Sequence, residues 1–245
     1  RLFKGLLKNR LQKAILQWYL ENGVKLSLNS IKVVENNKAK IIRNITPKLN
    51  DYSATTKLKN CNSLDSLKKI IIECCDCSLK KTAKNIVFSD GNPKAKIMLL
   101  GEAPGEEEDK SGRPFVGSAG ILLDKMLAAI NLSRKDVYIS NIIYWRPPGN
   151  RKPTDEEIKL CLPFVKKHIE LITPKILILA GATASKSIYE DDIGITQLRG
   201  KWKKISIGNN KKIKSIAIFH PAFLLRQPAR KREAWEDLKK IKMEI

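Results

Sequence analysis

Lys96-Ile97-Met98-Leu99-Leu100-Gly101-Glu102-Ala103-Pro104-Gly105, continued by Glu106-Glu107-Glu108-Asp109 and then Gly112-Arg113-Pro114-Phe115-Val116-Gly117, is the stretch whose reading decides the fold. The apolar run ending at Leu100 reads as a buried strand, and a helical pattern opens just after Gly117. The glycines and acids therefore lie where a strand of an α/β sheet hands over to a helix. Ligands bind at such strand ends. A glycine-rich turn in that place can cradle phosphate through bare backbone N–H groups. This one has no Gly-Lys-Ser/Thr triplet, and the four acids after Gly105 would repel an anion. It suits a neutral polar ligand read by backbone groups, with a carboxylate and an aromatic ring close by. A tight turn followed by a solvated acidic loop accounts for the same residues.

Working outward, helix and strand patterns alternate from Cys61 onward. The spacing predicts strands near 96–100, 137–143, 175–180 and 215–219, and helices near 118–130, 155–172, 182–189 and 230–242. That alternation implies an α/β fold of three layers, α-β-α, around a central, mostly parallel four-stranded sheet. Residues 61–245 are expected to form this one domain. Residues 23–60, rich in Lys, Asn, Ser and Thr, read as a flexible basic linker. Residues 1–22 read as a basic amphipathic helix, with Leu7, Leu11, Ala14, Ile15 and Trp18 at helical spacing and Gly23 as the stop.

The chain has two histidines. His220 follows the apolar run Ile216-Ala217-Ile218-Phe219 and precedes Pro221, which places it at a strand end. His168 sits in Val165-Lys166-Lys167-His168-Ile169 among helical charges and reads as a surface residue. On the intervening strand, Tyr138-Ile139-Ser140-Asn141-Ile142-Ile143, Asn141 is one amide among apolar neighbours. A buried amide needs partners, from nearby backbone or from the edge of a ligand.

A formal net charge of +22 and a pI near 9.8 attract polyanions by counterion release. Charge alone does not choose between DNA, RNA and an anionic membrane surface. No apolar run reaches spanning length, and Lys4 and Lys8 interrupt the first apolar residues, which argues against a membrane span and a signal peptide. Cys61, Cys74, Cys75, Cys77 and Cys161 are five in number and unevenly spaced, unlike a secreted disulfide framework. A reducing, cytoplasmic setting is expected.

GEAPG at 101–105, PFVG at 114–117, an asparagine on the next strand, RPPGNR at 146–151, the Arg199-Gly200 loop and HPAFLLR at 220–226 follow one another in an order that resembles family 4 of the uracil-DNA glycosylase superfamily. The resemblance covers residues 74–238, and it is the set of motifs in order that makes it specific. It implies an enzyme that flips uracil out of DNA and hydrolyses its N-glycosidic bond, initiating base excision repair. It also implies uracil-containing DNA as partner, a monomer, and a bacterial, nucleoid-associated location. Phe115 would lie against the uracil face, while Asn141 would accept from N3–H and donate to O4. Cytosine presents the opposite polarity at both positions and would leave buried groups unpaired. His220 and backbone N–H groups of Gly101 and Glu102 would meet the charge developing on O2. Ala103 occupies the position where the superfamily's best-known branch carries a water-positioning aspartate. Glu102 and Glu108 remain for the sugar cation, for water or for shaping the pocket. Leu224 or Leu225 would wedge into the stack, with Arg226 near phosphate and Arg146, Arg151 and Arg199 on the DNA backbone. No pocket motif carries a lysine apart from Lys110, so a Schiff-base lyase step is not expected.

The resemblance further implies a four-iron four-sulfur cluster on four cysteines, and here the sequence departs from it. Cys74 and Cys77 match the CxxC pair, with Cys75 as an alternative, and Cys161 matches the helix position. Trp145 stands where the ligand before RPP belongs, and an indole is no substitute for a thiolate. The expectation is a chain without the cofactor, in which packing has replaced the metal. Three alternatives stay open at this level. They are a non-catalytic nucleic-acid-binding relative, an iron–sulfur module, and a covalent uracil-trapping relative. The last would carry a basic, histidine-containing insertion after GEAPG, where Asp109-Lys110-Ser111-Gly112 runs straight on.

Overall fold

A computed structural model describes residues 51–208 and 211–245. The expected helix over 1–22 and the linker up to residue 50 lie outside these residues. The end of the expected linker is ordered instead. Helix α1 (Asp51–Lys59) packs on α2 (Leu64–Cys74), with Ala54 buried and Leu58 against the core. Ser63 caps α2 by accepting from the Ser66 N–H.

The strands are β1 (Asp90–Gly91), β2 (Ile97–Gly101), β3 (Val137–Asn141), β4 (Ile176–Ala180), β5 (Trp202–Ile207) and β6 (Lys211–Ile218). They form one sheet in the order β1-β3-β2-β4-β6-β5. The central β3, β2, β4 and β6 are parallel and correspond to the four expected strands, so the four-stranded expectation is corrected to six by two antiparallel edges. β1 is only two residues long, too short for periodicity to mark. β5 carries Lys203 and Lys204 on a half-exposed edge, where lysines discourage pairing with other chains. β2, β3 and β4 are buried along their whole length, as strands covered on both faces must be.

Alternation along β2 builds the two halves of the core. Met98 and Leu100 join Leu177, Leu179 and residues of α2, α5 (Asp155–Ile172) and α6 (Ala182–Tyr189). Ile97 and Leu99 join Ile176, Ile178, Ile216, Ile218 and residues of α4 (Ser118–Ala128), α8 (Pro221–Arg226) and α9 (Lys231–Lys242). The short helices α3 (Glu106–Ser111) and α7 (Ile195–Leu198) sit in the connections.

One reading of the sequence fails on α5. Cys161, Phe164, Val165, His168, Ile169 and Ile172 are its buried face, so His168 is a core residue and not a surface one. Its ring stacks on Phe88 at 4.4 Å, and its two nitrogens meet the hydroxyls of Tyr138 (2.7 Å) and Tyr144 (3.4 Å). Burial pushes its pKa down to about 3, so it is neutral. The flanking lysines had hidden its place in the i, i+3, i+4 series.

Candidate active site

The parallel strands all end at the same sheet edge, and the register sets Gly101 of β2 beside Asn141 of β3. Gly101 is bare for a reason of space. A Cβ there would stand 2.4 Å from Asn141 Oδ1 and 2.5 Å from Phe115 Cζ. The Gly101 turn, the buried Asn141 amide and the buried Phe115 ring therefore meet at one point.

His220 arrives from the end of β6. Its ring stacks on Phe115 with centroids 5.4 Å apart and planes inclined by 27°. It is also the N-cap of α8, where Nδ1 accepts the backbone N–H of Ala222 at 3.1 Å. A nitrogen that accepts carries no proton, so the neutral ring holds its proton on Nε2. Burial lowers the His220 pKa to about 4; the Arg226 charge adds to this and Glu108 opposes it. Gly181, at φ 96, allows the β4 turn to approach: a Cβ there would lie 3.0 Å from the His220 Cβ.

The two acidic candidates separate in the structure. Glu108 is buried and fully engaged: Oε2 accepts from the Gly105 N–H at 3.0 Å, and Oε1 from Val116 and Gly117 N–H at 2.9 Å each. It ties the GEAPG turn to the PFVG turn. Glu102 is half-buried and accepts a hydrogen bond from the Thr183 hydroxyl, on the first turn of α6. Thr183 escaped the sequence reading because a Thr in the first turn of a helix carries no distinguishing signal.

The expected DNA contacts are reassigned in part. Leu224 is buried at 1% exposure and belongs to the core, whereas Leu225 is 43% exposed. Arg226 is exposed. Arg146 donates to Asn150 Oδ1 at 2.7 Å within its own loop. Arg151 forms a two-pronged pair with the buried Glu157, at 2.9 and 2.6 Å. Arg199 is bound to Asp237 at 2.8 and 2.6 Å and lies over the Phe219 ring. It fastens α9 to the sheet, while the Arg151 side chain is paired with Glu157 yet 43% exposed. A basic residue in such a loop reads equally well as a phosphate contact or as an anchor; the carboxylate that pairs with Arg199 lies 38 residues away, and the one that pairs with Arg151 lies six residues on, in the first turn of α5.

On the opposite side of the sheet, Cys75, Cys77, Cys161 and Trp145 are buried in one apolar cluster. Cys75 Sγ lies 3.9 Å from Cys161 Sγ. Cys77 accepts a hydrogen bond from Cys161, which holds its pKa below the ordinary thiol value. Cys74, the first residue of the CxxC pair, points elsewhere and accepts from Lys57 Nζ at 3.8 Å. The residues present do not fit a four-iron cluster. The position before Arg146 offers an indole in place of a thiolate, and two sulfurs in contact leave no room for iron and sulfide between them. Among the described residues no group of three or more His, Cys, Asp or Glu is arranged to hold a metal ion. None of their helices is long and apolar enough to cross a membrane.

Comparison with known proteins agrees with this geometry. A sequence model of the Uracil DNA glycosylase superfamily matches residues 88–239. The type-4 uracil-DNA glycosylase of Archaeoglobus fulgidus is 43% identical over 183 residues, covering 73% of this chain and 92% of that protein. Those of Sulfurisphaera tokodaii (42%; 74% and 84% covered) and Thermotoga maritima (40%; 73% and 93% covered) are similarly near. With Gly101, Phe115, Asn141 and His220 converging at one sheet edge inside the matched region, the chain belongs to the type-4 uracil-DNA glycosylases of the uracil-DNA glycosylase superfamily.

Proposed function

We propose that this uracil-DNA glycosylase, a hydrolase of N-glycosyl bonds in DNA repair, cleaves through a neutral His220 that donates from Nε2 to uracil O2. The carrying observation is the Ala222 N–H bonded to His220 Nδ1, which leaves the proton on the other nitrogen. A flipped uracil enters at the Gly101 turn, its face against Phe115 and its N3–H and O4 edge on Asn141. As the C1′–N1 bond breaks, its electron pair passes to the base and spreads onto O2. A preorganised donor there stabilises the transition state more than the ground state. Water adds its oxygen to C1′, and its proton balances the departing uracil anion. No strand-breaking step follows.

Glu102 is the better candidate for the sugar cation or the attacking water, because the three backbone donors on Glu108 already use that carboxylate to shape the pocket. Leu225, exposed beside the buried Leu224, is the wedge that fills the gap left by the extruded nucleotide. Arg226 and Arg146 face the backbone. The enzyme is taken to act as a monomer. The net charge of +22 supports a place on bacterial chromosomal DNA.

The same reading takes the enzyme to work without an iron–sulfur cluster. The support is the buried Trp145 at the ligand position and Cys74 turned to Lys57. The deciding experiment for the activity is incubation with a labelled uracil-containing oligonucleotide followed by alkali. Cleavage at the uracil is expected only after alkali. Breaks without alkali, or trapping by borohydride, would refute the hydrolytic scheme.

A further inference from the structure

Phe115 holds a left-handed backbone conformation, φ 55, which is unfavourable for a bulky side chain and persists only where its surroundings over-determine it. It is held from three sides. On the downstream side, Val116 and Gly117 donate to Glu108. From α4, Gly120 lies so close that a Cβ there would stand 1.7 Å from the Phe115 carbonyl oxygen. The upstream side is held by a residue outside every family motif quoted above. Arg134 donates from Nη1 to the Pro114 carbonyl at 3.2 Å and from Nη2 to the Phe115 carbonyl.

Two carboxylates aim that guanidinium. Asp90 Oδ2 accepts from Nη1 at 2.6 Å and Asp124 Oδ1 from Nε at 2.8 Å. The Arg134 side chain is only 20% exposed, so its fork is fixed on both faces of use. Its charge is committed to the protein and not to DNA. We propose that Arg134, oriented by Asp90 and Asp124, is a positioning residue of the uracil pocket. It locks the Phe115 peptide in the left-handed turn that lays the ring over Gly101 and against His220. The inference rests on the reading of that pocket as the uracil site. A lysine would supply charge but not the planar fork that reaches two carbonyls and two carboxylates together.

The test is single-turnover excision on a uracil oligonucleotide, with inhibition by free uracil and affinity for uracil-free DNA measured beside it. Wild type, Arg134→Ala, Arg134→Lys, Asp124→Ala and Phe115→Ala are compared, with Arg134→Ala also made in the Phe115→Ala background. Release of a strained turn predicts that Arg134→Ala lowers the excision rate by about ten- to a hundredfold. Inhibition by free uracil should weaken in parallel, while affinity for uracil-free DNA is unchanged. The Arg134 effect should vanish once Phe115 is already alanine, because the arginine acts through that residue. Arg134→Lys should resemble Arg134→Ala. If Arg134→Ala does not fold, Asp124→Ala carries the test with a smaller loss of the same pattern. Wild-type excision by the folded Arg134 or Asp124 variants, or an equal loss in the Phe115→Ala background, overturns the clamp and leaves the uracil reading standing. A wild-type protein without excision removes both, and is seen first.

Discussion

The pocket around His220 and the core around Cys161 are both buried, yet they are held together chiefly by different means. In the pocket three polar side chains have directed partners: Glu108 takes three backbone N–H groups, His220 takes one, and Glu102 takes the Thr183 hydroxyl. In the thiol core the hydrogen bonds are the weak ones of thiols, such as that between Cys75 and Cys161, and apolar packing with Trp145 filling space dominates. Directed bonds fix where a proton sits and which way a donor points. Non-directional packing fixes only shape and stability. Substitutions in the first region should therefore change chemistry, and those in the second should change stability.

The largest expected effect belongs to His220. His220→Leu removes the donor at O2 and should lower the single-turnover rate by roughly 100- to 1000-fold, the typical loss for one oxyanion donor. Affinity for uracil-free DNA should remain. A rate within a few-fold of wild type would take His220 out of the transition state and erase the contrast between the two regions.

Trp145→Ala reverses the pattern. Emptying a buried indole site costs about 3–5 kcal/mol of stability, read as a lower denaturation midpoint, while the excision rate of the folded fraction stays near wild type. The anaerobically purified native protein should contain no stoichiometric iron and lack broad visible absorption. Four irons per chain, released together with unfolding in Cys161→Ala, would turn the thiol core from packing into a ligand set.

Acid sharpens the comparison in a third way. His220 and His168 have folded pKa values of about 4 and about 3, both below the ordinary value, so their stabilisation is complete above the unfolded pKa of about 6.5. It declines as pH falls from there toward about 4 and below, because the unfolded chain takes up protons that the folded one refuses. Activity limited by neutral His220 should stay level down to about pH 5 and fall near about pH 4, since protonating Nδ1 breaks its bond to Ala222. A rate that falls through pH 6.5 would show a solvated histidine.

Much of this site is legible in the residues alone, and what is not has a physical reason. The strand ends at Gly101, Asn141 and His220 are marked by apolar runs of full strand length, and the motifs between them follow in order. Short or edge elements leave no such trace: β1 has two residues, and β5 interrupts its apolar positions with the adjacent Lys203 and Lys204. His168 is misread because two neighbouring lysines outweigh its period in α5. That Arg151 and Arg199 pair with the buried Glu157 and Asp237 is a three-dimensional fact which their motifs do not announce. Glu108 stands out in the sequence as an acid of the site, but its engagement by three amides is visible only in the fold.

The smallest effect on chemistry is expected from the chain that precedes the described residues. Residues 1–60 hold 13 Lys and Arg against 3 acids, but none of the pocket motifs. The cut belongs at residue 50, because α1 packs on α2 and Lys57 pairs with Glu73 at 3.3 Å. Removing residues 1–50 takes away 11 of those basic side chains and leaves the pocket intact. Counterion release ties such charge to sequence-blind affinity, so the slope of log affinity against log salt should become shallower, by up to about 0.7–0.9 for each phosphate no longer neutralised. The excision rate at saturating enzyme should change by less than about twofold, because the segment carries none of the residues that meet the uracil. The measurement is paired: binding to uracil-free DNA across a salt series, and single-turnover excision at saturation. A collapsed rate with an unchanged salt slope would show that the segment supports the pocket instead of gathering DNA.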